Sequence, residues 1–169
     1  MIKSYNFSHY ITKNDEDKCK KIVDELFKSD NWCKEVTEFQ TWSDLHCYEE
    51  FNAFVTTFIQ SCSCYLNEEF ECTNIDFWCY MDYRENNLKK KLEKTWHRHG
   101  NIGENKLSGI YYLINPESLV TEFKNEVIKK SSPFTWYIFP SHYLHRPPKV
   151  THHQKRYTLA ADLSFEKIK

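Results

Sequence analysis

No stretch of this 169-residue sequence is apolar over the roughly 20 residues that a membrane-crossing helix needs, so no membrane partner is expected. The start of the chain shows no secretory leader pattern, and the seven cysteines include no Cys-x-x-Cys pair. A secreted disulfide framework is therefore not expected, and the thiols read as reduced groups of a cytoplasmic protein. Cys62-x-Cys64 alone is too little for a metal site. A surplus of charge is also missing: the formal net charge is −1. Broad nucleic-acid binding needs a clustered basic face, so a nucleic-acid partner is not expected. The short basic runs Lys89–Lys91 and Lys129–Lys130 read as solvated ends of elements. Glycine is scarce, with three residues, which leaves few glycine-framed loops. There are no internal repeats and no linker-like boundary.

What is present points to a folded domain. Aromatic residues make up 17% and charged residues 28%, outside the disordered and fibrous classes. The length suits one domain. In the first part, Cys19, Ile22, Val23, Leu26 and Phe27 recur at helical spacing, with Asn14 or Asp15 as a cap. From 43 to 67 a second stripe runs through Leu45, Tyr48, Phe51, Val55, Phe58, Ile59, Cys62 and Leu66, with Ser43 as the expected N-cap. Both stripes are faces for packing on a sheet.

The period then changes. Asn74 to Tyr83, "KLSGIYYLI", "SLVTEFK", "PFTWYIFP" and "RYTLAADLSF" read as strands separated by turn signals. No helix of normal length fits between Leu107 and Phe165. The expected class is α+β, mainly β: an antiparallel sandwich or barrel braced by N-terminal helices. Residues 1–70 are the helical support and 74–166 the β core of one domain spanning 1–169.

Eight histidines raise the question of a metal. His9 and His46 lie in the helical part without obvious partners, and His152 and His153 sit in a polar loop. His97 and His99 are two residues apart, so in an extended segment both side chains face one way. His145 follows a strand end and a Pro140-Ser141 turn. Together they make a candidate three-ligand set; imidazole suits iron, copper, nickel and zinc, and three ligands leave open positions for catalysis. Eleven residues after His145, Arg156 opens a strand and shares a face with Thr158. An arginine pointing inward there needs a partner. A carboxylate ligand would bind it in two-pronged fashion, with the hydroxyl adding one hydrogen bond.

These pieces, in this order, resemble the iron(II)- and 2-oxoglutarate-dependent oxygenases, closest to the prolyl-hydroxylase-like branch. His97-x-His99 stands where that family has His-x-Asp/Glu. "SGIYYLIN" resembles the following strand, "YIFPSHYLHRP" the strand and turn that deliver the distal histidine, and "RYTLAADL" the strand carrying the co-substrate arginine. The resemblance covers about Phe77 to Phe165. It implies a double-stranded β-helix, a jelly roll with helices along one sheet. It implies that His97, His99 and His145 are catalytic and bind Fe(II), and that Arg156, Thr158 and Tyr112 bind the 2-oxoglutarate co-substrate, with Tyr83 as a second aromatic near it. Hydroxylation with O2 is the implied activity, on a peptide, an amino-acid side chain or a small molecule. Trp78, Trp96 and Trp136 are candidates to line the cavity or pack in the core.

His99 departs from the family pattern, since a carboxylate is usual there. The third ligand is then His99 itself, or Glu104 or another acid from the loop, or the site is inactive. Two other readings stay open. His97-x-His99 with Glu104 and "PSHYLH" resembles the motifs of a cupin-type three-histidine dioxygenase, although the framing glycines are missing and Arg156 has no evident role there. A β-helix binding module without catalysis is the second.

Overall fold

A computed structural model describes residues 1–33, 39–83, 95–151 and 153–168. The Lys89–Lys91 run and His152 lie outside the described residues. Helix α1 (Lys13–Lys28) follows strand β1 (Lys3–Asn6). Its start is a capping box: the Thr12 hydroxyl accepts from the Asp15 backbone N–H, and the Asp15 carboxylate accepts from the Thr12 backbone N–H at 2.8 Å. The expected acid is thus in the cap, but three residues inside it rather than at its head.

Strand β2 (Phe39–Gln40) precedes the second helical region. That region departs from the expected continuous helix from Ser43. Two 3₁₀ turns, Leu45–Cys47 and Glu49–Phe51, come first, and α2 spans Asn52–Leu66. Ser43 caps no helix; its carbonyl accepts from the Phe77 backbone N–H at 2.9 Å, which holds the chain to the sheet at that point. The apolar stripe survives the break in part: Leu45, Phe51, Phe58 and Cys62 are fully buried and Tyr48, Val55, Ile59 and Leu66 half-buried, while Phe54, outside the expected stripe, is fully buried too. Asn67, in the left-handed region at φ 55°, ends α2.

The remaining strands are β3 (Phe70–Asp82), β4 (Lys106–Ile114), β5 (Glu122–Phe123), β6 (Thr135–Pro140), β7 (His145–Arg146) and β8 (Arg156–Lys167). Of the expected strand "SLVTEFK", only Glu122–Phe123 pairs. The major sheet has the order β1-β6-β4-β8-β3-β2, and β5 pairs with β7 in a two-stranded minor sheet. Both sheets are antiparallel. Among the described residues no helix is long and apolar enough to cross a membrane.

Strand alternation gives the major sheet two different faces. On β8, Tyr157, Leu159, Ala161 and Leu163 join the core beneath the helices, with Phe54, Phe58 and Trp136. Their neighbours Arg156, Thr158 and Ala160 line a cavity on the opposite face. Ile110, Tyr112, Tyr137 and Phe139 on that face pack with Phe123 of β5, so the minor sheet closes over it. Gly109 on β4 lets α2 approach: a Cβ there would sit 2.5 Å from Phe58 Cε2. Gly109→Ala is therefore expected to destabilise the fold by about 1–3 kcal/mol, read as a lower denaturant midpoint. An unchanged midpoint would mean that α2 retreats freely.

Candidate metal centre and its cavity

His97 lies just outside the minor sheet and extends it. Its backbone N–H donates to the His145 carbonyl, and the His145 N–H donates to the His97 carbonyl, both at 3.0 Å. Two residues on, the His99 N–H donates to the Ser141 carbonyl at 2.9 Å. This local pairing keeps the His97–His99 segment extended, so both imidazoles face the same way, toward His145. One candidate ligand atom from each of the three side chains lies within 4.8 Å of the others. Ring centroids are 4.5 Å apart for His97–His145, 5.0 Å for His99–His145 and 5.2 Å for His97–His99.

Each ring also has its Nδ1 against an oxygen that only accepts. His97 Nδ1 faces the Thr95 carbonyl at 3.3 Å, His145 Nδ1 the Tyr143 carbonyl at 2.8 Å, and His99 Nδ1 the Asp162 carboxylate at 3.1 Å. A neutral imidazole in such a contact carries its proton on Nδ1 and keeps its lone pair on Nε2. That is the outer contact pattern that orients histidines around a cation. His145 is buried, and burial pushes its pKa down to about 3, with a further downward contribution from His97 and His99 that the Tyr143 carbonyl partly opposes. Its ring is therefore neutral at ordinary pH, the form that can coordinate.

Arg156 sits at the start of β8 on the cavity face and is 2% exposed. Burial lowers its pKa from the usual arginine value, while Tyr112 and Asp82 nearby favour the charged form. Among the described residues, neither Nε nor either terminal nitrogen has a hydrogen-bond partner, and the Thr158 hydroxyl also has none. Desolvated donors of this kind are costly when left unmatched. Both residues line the same cavity as the three histidines. The Tyr112 ring lies 5.4 Å from the guanidinium carbon, and its hydroxyl accepts from the Thr121 backbone N–H at 2.7 Å, which leaves the phenolic proton to donate elsewhere.

Two sequence candidates fall outside this constellation. Glu104 is exposed, its carboxylate accepts from Asn101 Nδ2 at 2.6 Å, and it is not part of the cluster. Tyr83 packs on the core beneath the helices, behind the sheet; Tyr80 lines the cavity instead. Alternation explains the exchange, because Phe77, Cys79 and Met81 mark the helix side and Trp78 and Tyr80 the cavity side. Of the three tryptophans, Trp78 lines the cavity 5.4 Å from the His99 ring, Trp136 is fully buried under α2, and Trp96 stacks with Arg146 near the surface.

No family model matches the sequence, and no curated protein does. Solved structures match over nearly the whole chain. A viral collagen prolyl hydroxylase from Paramecium Bursaria Chlorella virus-1, determined as its 2-oxoglutarate complex, has TM-score 0.62 and 13% identity, covering 99% of this chain and 96% of its own. A Pseudomonas putida prolyl-4-hydroxylase has TM-score 0.63 and 11% identity over 96% of this chain and 91% of its own. A Trichoplax adhaerens prolyl hydroxylase, in complex with a hypoxia inducible factor oxygen degradation domain peptide fragment, has TM-score 0.54 and 14% identity over 96% and 83%. The fold is that of the prolyl hydroxylases. It is a double-stranded β-helix, α+β and mainly β, as the sequence resemblance implies.

Within this prolyl-hydroxylase fold, one group escaped the sequence reading. Asp162 on β8 is buried, and besides the His99 contact its Oδ1 accepts from the Ser108 hydroxyl at 2.6 Å. Its Oδ2 pairs with Lys106 Nζ at 3.2 Å. Burial alone would raise its pKa, but the His99 contact, Ser108 and Lys106 outweigh that and hold the carboxyl below its usual range. The signal was available: Asp162 has the same strand parity as Arg156 and Thr158, in an otherwise apolar run. His99→Ala is expected to weaken binding of a divalent cation by more than 10-fold, and Glu104→Gln to leave it unchanged, by isothermal titration. The opposite order would make Glu104 the third ligand.

Proposed function

We propose that this protein is an iron(II)- and 2-oxoglutarate-dependent oxygenase that hydroxylates a peptide or an amino-acid side chain. The observation that carries the reading is Arg156: a buried guanidinium and the Thr158 hydroxyl, without hydrogen-bond partners among the described residues, facing a cavity that also holds three converging histidines. A cation alone leaves those donors unmatched. A ligand with a carboxylate at one end satisfies them and reaches toward the histidines with its other end. The solved neighbours add support, since one was determined with 2-oxoglutarate and another with a peptide.

The residues present fit both groups. His97, His99 and His145 would hold ferrous iron through Nε2, and three protein ligands leave positions open. Arg156 and Thr158 would take the distal carboxylate of 2-oxoglutarate, with Tyr112 beside the guanidinium. When bound together, iron and co-substrate would supply oxygen activation coupled to decarboxylation, so that one oxygen atom converts a substrate C–H bond to C–OH and the other ends in succinate, with carbon dioxide released. The chain's own part is to orient and shield. Nδ1 contacts fix each imidazole, while Trp78, Ile110 and Ala160 give the cavity apolar walls that exclude water from the reacting centre.

The test is spectroscopic and then catalytic. Under nitrogen, Fe(II) and 2-oxoglutarate together should produce the weak visible charge-transfer band of a chelated keto acid, and air with a peptide panel should then release succinate. A three-histidine dioxygenase that needs no co-substrate is the second reading, favoured by the all-histidine cluster itself. Tight Fe(II) binding with no band would support that reading against the first.

A further inference from the structure

Three neutral imidazoles bring no negative charge to a divalent cation, yet a buried carboxylate lies one hydrogen bond behind the cluster. Asp162 Oδ1 is 3.1 Å from His99 Nδ1, a contact that leaves Nε2 as the nitrogen available to a cation. The carboxylate is itself held from two further sides, by the Ser108 hydroxyl at 2.6 Å and by Lys106 Nζ at 3.2 Å. Lys106 also donates to the His99 carbonyl at 3.2 Å, so one lysine ties together the backbone of the ligand and the acid behind it. The carbonyls behind His97 and His145 offer no such charge.

We propose that Asp162 is a positioning residue for the metal centre. It fixes His99 with its proton on Nδ1 and Nε2 toward the cation, and it supplies through the His99 ring the negative charge that a carboxylate ligand would have brought directly. The proposal rests on the metal reading above. A carboxylate behind a ligating imidazole raises the basicity of that ring and restricts its rotation, and removing such a partner weakens metal binding by about 10–100-fold. His99 and Asp162 then act as a unit, the charge displaced outward by the length of one imidazole.

Asparagine separates charge from tethering, because its carbonyl oxygen still accepts from His99 Nδ1 and from Ser108. The probe is Co(II) alone, without 2-oxoglutarate, followed by isothermal titration and by its visible spectrum. In Asp162→Asn, affinity is expected to fall about 10-fold or more, in a protein that still folds but melts lower because the amide replaces the oxygen paired with Lys106. The double variant His99→Asp with Asp162→Asn puts the carboxylate back, now inside the cluster, and should recover affinity to within about 3-fold of wild type, a coupling that a purely structural role would not produce. If Asp162→Asn does not fold, Asp162→Ser carries the same expectation. Wild-type affinity in Asp162→Asn, or equal weakness in the double variant, would overturn the proposal while leaving the metal reading intact. Failure of the wild type to bind Co(II) would overturn both.

Discussion

Arg156→Met is expected to cut the response to 2-oxoglutarate sharply without unfolding the protein. In the wild type, co-substrate at about 100 times its dissociation constant should stabilise the fold by roughly 2.7 kcal/mol. For a chain of this size that is a rise in melting temperature of about 5–10 °C. Losing one member of a buried, hydrogen-bonded charge pair costs about 2–5 kcal/mol, so the affinity should drop by roughly 30-fold or more and the shift should fall to about a third or less of the wild-type value at the same concentration. The visible band of the iron and 2-oxoglutarate complex should weaken with it, while Fe(II) binding alone persists.

The same substitution carries an internal control for folding. Among the described residues the Arg156 guanidinium has no hydrogen-bond partner, so methionine, of similar length, removes no hydrogen bond seen there. Buried Asp82 favours the charged guanidinium, and removing one partner of a buried charge pair is destabilising. Ligand-free Arg156→Met is therefore expected to melt below the wild type but still cooperatively, and the 2-oxoglutarate shift is read against the variant's own ligand-free melt. Retention of the full 2-oxoglutarate shift in this variant would show that the co-substrate carboxylate sits elsewhere and would remove the main support for the oxygenase reading.

His145→Ala should have the largest effect on the metal. Its ring is the most buried of the three and lies nearest to His97. Losing one of three protein ligands is expected to weaken Fe(II) or Co(II) binding by about 100-fold or more, beyond the 10–100-fold range for an outer-shell partner. His142→Ala is the matched control, since it lies in the same turn but outside the cluster. Binding unchanged in His145→Ala, or weakened equally in His142→Ala, would mean that the convergence of the three rings is not a metal site. Neither variant touches the backbone exchange between His97 and His145, so the minor sheet should keep its pairing.

Much of this architecture was written in local patterns. Capping and apolar periodicity placed α1, and alternation placed β3, β4, β6 and β8, because those signals depend on residues a few positions apart. The i, i+2 rule put His97 with His99 and Arg156 with Thr158 on shared faces, as the structure has them. Errors came where a distant strand overrode a local preference. Ser43 looks like a helix cap, but Phe77 claims its carbonyl. Tyr83 is a different case: it packs on the helix side of the sheet, and the parity of Phe77, Cys79 and Met81 already places it there.

The sequence by itself determined the order of helices and strands, the parity of each strand and the residue types available to a cation and a carboxylate. Only the tertiary structure decided that His97 pairs with His145, that Glu104 stays outside, and that Asp162 comes to lie behind His99, 63 positions along the chain. These last choices depend on which strands neighbour one another. Strand pairing is set by burial and hydrogen bonding over the whole sheet, so no short window of sequence contains it.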